Sequence, residues 1–280
     1  MSDILKKALA KQARDRETQT LSPQPAALQQ TEAPQKVAPA FTAQPPVRRE
    51  SSPKPQAAPT TKKENFNPQS LDEFKIVYDC RIHPAADQVK ILRTQMLRKL
   101  QKFGGKSVLI TSPGPGDGKT INAINVAISI AQEIDRTVLL IDANLRTPAI
   151  HKFFGIKQGL GLADYLLGKA TIPELLVNPG IDKLTLLPSG RPLATSSEML
   201  GASRMADLVN EMKSRYEDRI LVFDGPDILT NADALVFSSL VDGIVLVVEA
   251  EKTTRQEIKD ALGRLHNANL IGTIFNKARE

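Results

Sequence analysis

Residues 107–120 read Ser-Val-Leu-Ile-Thr-Ser-Pro-Gly-Pro-Gly-Asp-Gly-Lys-Thr. An apolar run passes directly into a Gly/Pro-rich turn that ends in Gly118-Lys119-Thr120, and a helical pattern follows. Strand, glycine loop and helix in that order build a cradle for nucleotide phosphates: loop N–H groups point inward, the lysine reaches the β/γ-phosphates and the hydroxyl holds Mg²⁺. The ligand expected from this segment is ATP or GTP with Mg²⁺, bound by Gly114, Pro115, Gly116, Asp117, Gly118, Lys119 and Thr120. The spacing departs from the common form G-x-x-x-x-G-K-[ST], because Pro113 stands where its first glycine would fall. The flanking strand and helix therefore carry the weight; without them the turn would read as an ordinary glycine-rich connection.

Apolar strand-like runs recur after it at 138–141, 184–187, 220–223, 244–248 and 271–275, with 108–111 the first of the six. They are short, nearly continuous and rich in Val, Ile and Leu, as parallel strands covered on both faces must be. Helical patterns separate them. Residues 120–133 are apolar almost all round, which predicts a deeply buried helix. Ile258, Ala261, Leu262 and Leu265 give a stripe over 253–267, and Thr195 to Glu198 fits a capping box opening a helix to about Tyr216. The alternation predicts an α/β fold, a doubly wound, mostly parallel sheet of P-loop NTPase type, with ligand at the carboxyl ends of the strands.

Composition divides the chain. Residues 1–70 hold ten of the 19 prolines and no glycine, and eleven Lys/Arg against six Asp/Glu leave them at +5. The other 210 residues carry 26 against 25 and are nearly neutral, which gives no support for nucleic-acid binding. The expected organisation is a short amphipathic helix in 1–17, a disordered Pro-rich linker over 18–70 and a P-loop domain over 71–280. Ile4, Leu5, Ala8 and Leu9 share one helical face and read as a docking peptide for a partner or a membrane surface. Cys80 stands alone, which excludes an internal disulfide and a Cys-based metal site. No run approaches the ~18 apolar residues of a membrane span. The expectation is a cytoplasmic protein, recruited to the inner face of the membrane, where it is recruited at all, by a partner.

Two acidic positions follow strand ends: Asp142-Ala143-Asn144-Leu145-Arg146, and Asp224-Gly225-Pro226-Asp227. Parallel strands put their carboxyl ends on one edge of the sheet, so Asp142 and Asp224 should reach the metal and the γ-phosphate. An aspartate there also orients, or takes the proton of, an attacking hydroxyl. The plainer alternative is that each caps the helix that follows.

With these residues in view, the chain resembles the bacterial tyrosine kinases of capsule and exopolysaccharide assembly, P-loop kinases related in fold to the Min/Par partitioning ATPases. The resemblance spans roughly 85–276. It rests on Ser112 with Pro115-Gly116-Asp117-Gly118-Lys119-Thr120, on Asp142-Ala143-Asn144-Leu145-Arg146 followed by Pro148 and His151, and on Ser196-Ser197-Glu198-Met199-Leu200. It implies Lys119, Asp142 and Asp224 as catalytic residues, and Thr120, Asp142, Asn144 and Asp224 around Mg²⁺. It places Asn276 near the base of ATP. In the helix before the loop it implies self-association through Asp87, Lys90 and Arg93. The expected partner is a membrane polysaccharide co-polymerase on a separate chain.

Three features depart from the family pattern. Asn144 replaces a second aspartate and brings neither charge nor basicity. Asp224-Gly225-Pro226-Asp227 replaces Asp-Ser/Thr-Pro-Pro. Tyr78, Tyr165 and Tyr216 are the only tyrosines, and no terminal tyrosine cluster follows the last strand. Three functions stay open on these residues: a Mg-ATP-dependent tyrosine kinase, a catalytically attenuated nucleotide-gated adaptor, and a partitioning-type ATPase. The last is disfavoured by Gly114, where such proteins place a signature lysine.

Overall fold

The computed structural model describes residues 62–63, 76–77 and 85–278. The strands among them are β1 Lys62–Lys63, β2 Ser107–Thr111, β3 Thr137–Asp142, β4 Val177–Asn178, β5 Leu184–Leu187, β6 Arg219–Asp224, β7 Gly243–Glu249 and β8 Leu270–Asn276. They form one sheet in the order β1-β4-β5-β3-β6-β2-β7-β8. Every pairing is parallel except β4 with β5. The helices are α1 Ala86–Gln101, α2 Lys119–Ala131, α3 Ile150–Phe153, α4 Leu162–Leu166, α5 Ile172–Leu175, α6 Ser196–Leu200, α7 Ser203–Arg215, α8 Asp233–Ser238 and α9 Arg255–Arg264.

Alternate residues of each central strand enter opposite layers, because side chains change face at every residue. Val108, Ile110, Val138, Leu140, Val222, Val245 and Val247 pack with α1 and α2. Leu109, Leu139, Ile141, Leu221, Phe223, Leu246 and Val248 pack with α7 and α9 on the other side. Both faces are thus covered, which is why the strands read as unbroken apolar runs. Each fully buried Val, Leu or Ile contributes about 1.5–3 kcal/mol of transfer free energy. Eleven of the 13 residues of α2 are buried, as its all-round apolar pattern predicts.

From β2 the chain crosses over β6 to reach β3, and from β6 it crosses over β2 to reach β7. The winding direction therefore reverses between β2 and β6. In open α/β sheets the crevice at the carboxyl ends of such strands is the ligand position. Here it lies between the glycine loop after β2 and Asp224 at the end of β6.

All six anticipated strands form, each within one residue of its expected limits. The helix expected from Thr195 to Tyr216 does not. It is two helices, α6 and α7, broken at Gly201-Ala202, and Thr195 makes no side-chain cap. A Cβ on Gly201 would stand 2.9 Å from Val236 Cγ1, so this corner is packed too closely for a larger residue. At α9 the cap falls at Thr254, whose hydroxyl accepts from the Glu257 N–H while Glu257 accepts from the Thr254 N–H. Two residues of the expected linker 18–70 belong to the sheet as β1, paired with β4. The remainder of that linker, the helix in 1–17 and Tyr78 lie outside the described residues.

Candidate active site

The loop after β2 is shaped by glycine. Gly116 and Gly118 sit at φ 83° and 99°, a region that residues with a Cβ rarely adopt. Gly118 caps α2, so the unpaired amides at the start of that helix open onto the loop. Inside the turn, the Gly114 N–H donates to Asp117 Oδ2 at 3.1 Å and the Ser112 hydroxyl donates to the Gly114 carbonyl at 2.6 Å. Behind it, Ile228 and Leu229 N–H groups donate to the carbonyls of Ser112 and Pro113, tying the loop to the segment after β6. Burial pushes the Asp117 carboxyl above its usual range, against the Gly114 N–H and the Lys252 charge, which lower it.

Asp142 and Asp224 end β3 and β6 and face each other in register. Both are fully buried. Asp142 is well satisfied: Oδ1 accepts from the Asn144 N–H at 3.2 Å, and Oδ2 accepts from Ala149 and Ile150 at 3.0 and 3.1 Å. Burial raises its pKa to about 6 in spite of these bonds and the Lys119 charge. Asp224 differs. Neither of its oxygens has a hydrogen bond of acceptable geometry. Burial, followed by the charge of Asp142, raises its pKa to about 7; Lys119 and the neighbouring Thr120 hydroxyl lower it without satisfying it. Lys119 and Thr120, the first residues of α2, are themselves buried.

A buried carboxylate with two bare oxygens is costly unless something binds it. A cation at this position removes that cost, and an adjacent hydroxyl with a second carboxylate suits the all-oxygen shell of Mg²⁺. The residues present therefore fit the metal. Asn144 is less suited: its Oδ1 already accepts from the N–H and the hydroxyl of Thr147, both at 3.1 Å.

Asn276 ends β8 beside the loop, but its amide is engaged there. Nδ2 donates to the Asp117 carbonyl at 2.8 Å. Of the expected association residues, Lys90 pairs with Asp87 at 3.1 Å on the exposed side of α1. Arg93 turns inward instead: its Nη1 donates to the Ser129 carbonyl at 2.9 Å, and its Nε lies 3.1 Å from Glu133 though off the hydrogen-bond axis. Its geometry is that of a strut between α1 and α2. His151 is buried, which lowers its pKa together with the nearby Lys152 charge.

Sequence reasoning missed Asp233. This fully buried carboxylate gathers Arg146 Nε at 3.2 Å and the hydroxyls of Ser196 and Ser197. It ties the segment after Asp142 to α6 and α8. No local pattern marks it, since its partners lie 36 to 87 residues away. Lys277, whose Nζ donates to the Gly116 carbonyl of the loop at 2.9 Å, was missed as well, although it directly follows the last apolar run.

A glycine loop at the reversal point of a doubly wound sheet, with a lysine, a threonine and two register-paired aspartates, defines a P-loop protein of the NTPase type. Among proteins of known identity, the chain is 34% identical over 174 residues to the putative tyrosine-protein kinase CapB of Staphylococcus aureus, covering 61% of this chain and 75% of that one. It is 34% identical over 194 residues to the tyrosine-protein kinase YwqD of Bacillus subtilis (strain 168), covering 68% and 80%. The crystal structure of the chimeric protein CapA2B2 superposes with a TM-score of 0.68 at 26% identity, over 80% of this chain and 96% of the other. No protein-family model matches the chain. On these relationships the chain belongs to the bacterial tyrosine-protein kinases.

Proposed function

We propose that the protein binds Mg-ATP at the loop 114–120 and transfers the γ-phosphoryl group to a tyrosine hydroxyl on another chain. The observation that carries this is Asp224: a buried carboxylate with no hydrogen bond of acceptable geometry, opposite Asp142 and beside Lys119 and Thr120, at the winding reversal of the sheet.

Each residue has a role that follows from its place. Lys119 neutralises phosphate charge at the mouth of α2, and the loop amides cradle the phosphate oxygens. Thr120 and Asp224 would hold Mg²⁺, with Asp142 beside them, and the ion when bound would supply charge neutralisation to the triphosphate. Asp142, fixed by three backbone N–H groups, orients the incoming tyrosine hydroxyl and accepts its proton as the O–P bond forms and ADP leaves. An aspartate whose pKa is lifted towards neutrality suits that exchange. Phosphoryl transfer asks mostly for positioning and charge compensation, so these groups suffice.

The biological setting we infer is exopolysaccharide or capsule assembly, with a membrane polysaccharide co-polymerase as partner and recruitment to the inner membrane face through it. Among the described residues no helix is long and apolar enough to cross a membrane. Self-association would use the exposed Asp87 and Lys90, with Arg93 bracing α1 from within. Incubation with labelled ATP, Mg²⁺ and a tyrosine-bearing partner tests the kinase reading. Incorporation should vanish in Lys119→Ala; equal incorporation by both proteins overturns it.

A second reading is favoured by Asn144 and the two described tyrosines. Asn144 spends its oxygen on Thr147, and Tyr165 and Tyr216 lie under arginines, with Arg204 4.4 Å from the first ring and Arg219 3.9 Å from the second. In that reading the protein binds ATP, changes its assembly and signals to the co-polymerase with little turnover. Tight ATP binding with nucleotide-dependent oligomer size and no phosphate incorporation would select it.

A further inference from the structure

Two consecutive carbonyls of the phosphate loop are held from outside by the end of β8. Lys277 Nζ donates to the Gly116 carbonyl at 2.9 Å, and Asn276 Nδ2 donates to the Asp117 carbonyl at 2.8 Å. In a planar trans peptide the C=O and the following N–H point in opposite directions. Tying these two carbonyls toward β8 therefore turns the N–H groups of Asp117 and Gly118 the other way. Neither of those amides donates to another group of the described chain.

The surrounding residues support the hold. A Cβ on Gly118 would lie 2.0 Å from Asn276 Nδ2, so only glycine admits the amide this close. Glu249, the register partner of Asn276 on β7, binds Lys277 at 3.1 Å and Lys252 at 2.9 Å. Lys277 is thus braced from the neighbouring strand while it holds the loop. Asn276 commits one of its two Nδ2 donors to the Asp117 carbonyl, which seats its amide against the loop.

We propose that Asn276 and Lys277 are positioning residues that set the peptide planes of the phosphate loop, so that the Asp117 and Gly118 amides face a bound polyphosphate. Asn276 acts on the phosphates through the loop and does not select the base. The inference rests on the nucleotide reading above and extends it. It predicts that the clamp is felt by any triphosphate, with or without a nucleoside attached.

Calorimetric titration of wild type, Asn276→Ala, Asn276→Asp and Lys277→Met with Mg-ATP, Mg-GTP and magnesium tripolyphosphate tests it. Each variant should weaken all three ligands by a similar factor, about tenfold, since small misplacements of binding groups cost factors of that order or more. Lys277→Arg, which keeps a donor, should restore most of the loss. A change in the ATP:GTP ratio with tripolyphosphate binding intact makes Asn276 a base reader and overturns the proposal. Unchanged affinities for all three ligands overturn it as well, while leaving the nucleotide reading standing. If wild type binds no triphosphate, the nucleotide reading falls and the clamp with it. Melting without ligand separates clamp loss from unfolding. If Asn276→Ala fails to fold, Lys277→Met, at a half-exposed side chain, carries the same comparison.

Discussion

Asp142 and Asp224 are direct register partners on adjacent parallel strands, both wholly buried, with only one of the two hydrogen-bonded. Two carboxylates in this relation cannot both ionise cheaply, and they titrate as a pair. Their folded pKa values lie above the unfolded ones. As pH rises, the unfolded chain releases these protons first, so stability falls between about pH 4 and about pH 7. The ligand-free melting temperature should drop across that window. Asp224→Asn should flatten the drop, melt higher than wild type at pH 8 and lose the extra stabilisation that Mg²⁺ gives with ATP. Scanning calorimetry at pH 5 and pH 8 checks this, and a variant that melts lower at pH 8 contradicts it.

Asn144→Asp adds a third buried carboxylate two residues after Asp142, on a residue whose N–H already donates to Asp142. The ligand-free protein should lose stability above neutral pH, because the added charge meets two like charges in a buried site. Magnesium affinity should rise, and phosphate incorporation should rise with it by about tenfold or more, below the ~10²–10³ that one fully preorganised charge-stabilising group contributes. Isothermal titration with Mg²⁺ and a turnover assay measure the two effects. Raised metal affinity without any gain in turnover would favour the adaptor reading.

Asp233→Ala should cost about 2–3 kcal/mol, because it strands two seryl hydroxyls, that of Ser196 fully buried. The Arg146 share is small, since that side chain is 40% exposed and can be rehydrated. Urea denaturation gives the number. A loss below about 0.5 kcal/mol, the range of ordinary surface changes, would show that Asp233 is not the hub of this corner.

At the opposite edge of the sheet Asp242 accepts from the Lys106 and Ser107 N–H groups, the Ser107 hydroxyl and Lys213. Burial raises its pKa, yet these partners outweigh burial and hold it below the ordinary value. Its contribution is present above the unfolded pKa and is lost as pH falls through the folded one. Asp242→Asn should therefore destabilise the protein at pH 7 and have a shrinking effect as the pH approaches 3. Denaturation curves at both ends of that range settle the sign.

The sheet was legible because its strands are apolar on both faces, and the carboxylate pair because parallel strands deliver their ends to one edge. β1 and β4 were invisible, since two residues carry no period. The break at Gly201 was hidden because Thr195-to-Glu198 satisfies a local capping pattern, while the corner is decided by Asp233 and Val236 arriving from elsewhere in the chain. Arg93 shows the same limit. Its spacing from Asp87 and Lys90 suggests one shared face, but a long side chain can fold back, and Ser129 and Glu133 draw it to α2. Asn276 was expected near the base of ATP; its position at the end of β8 follows from the strand, while the partner of its amide follows only from the path of the loop.

Thirteen residues at 1.5 Å each make α2 a rod of about 20 Å. Its first residue, Lys119, lies at the phosphate loop, and near its far end Ser129 is grasped by Arg93 of α1. Walled in on nearly every side, such a rod has little freedom to bend and transmits a push along its axis. Under the proposed function, a small displacement of the loop on triphosphate binding would be delivered to α1, which carries Asp87 and Lys90, and would link nucleotide occupancy to the proposed self-association.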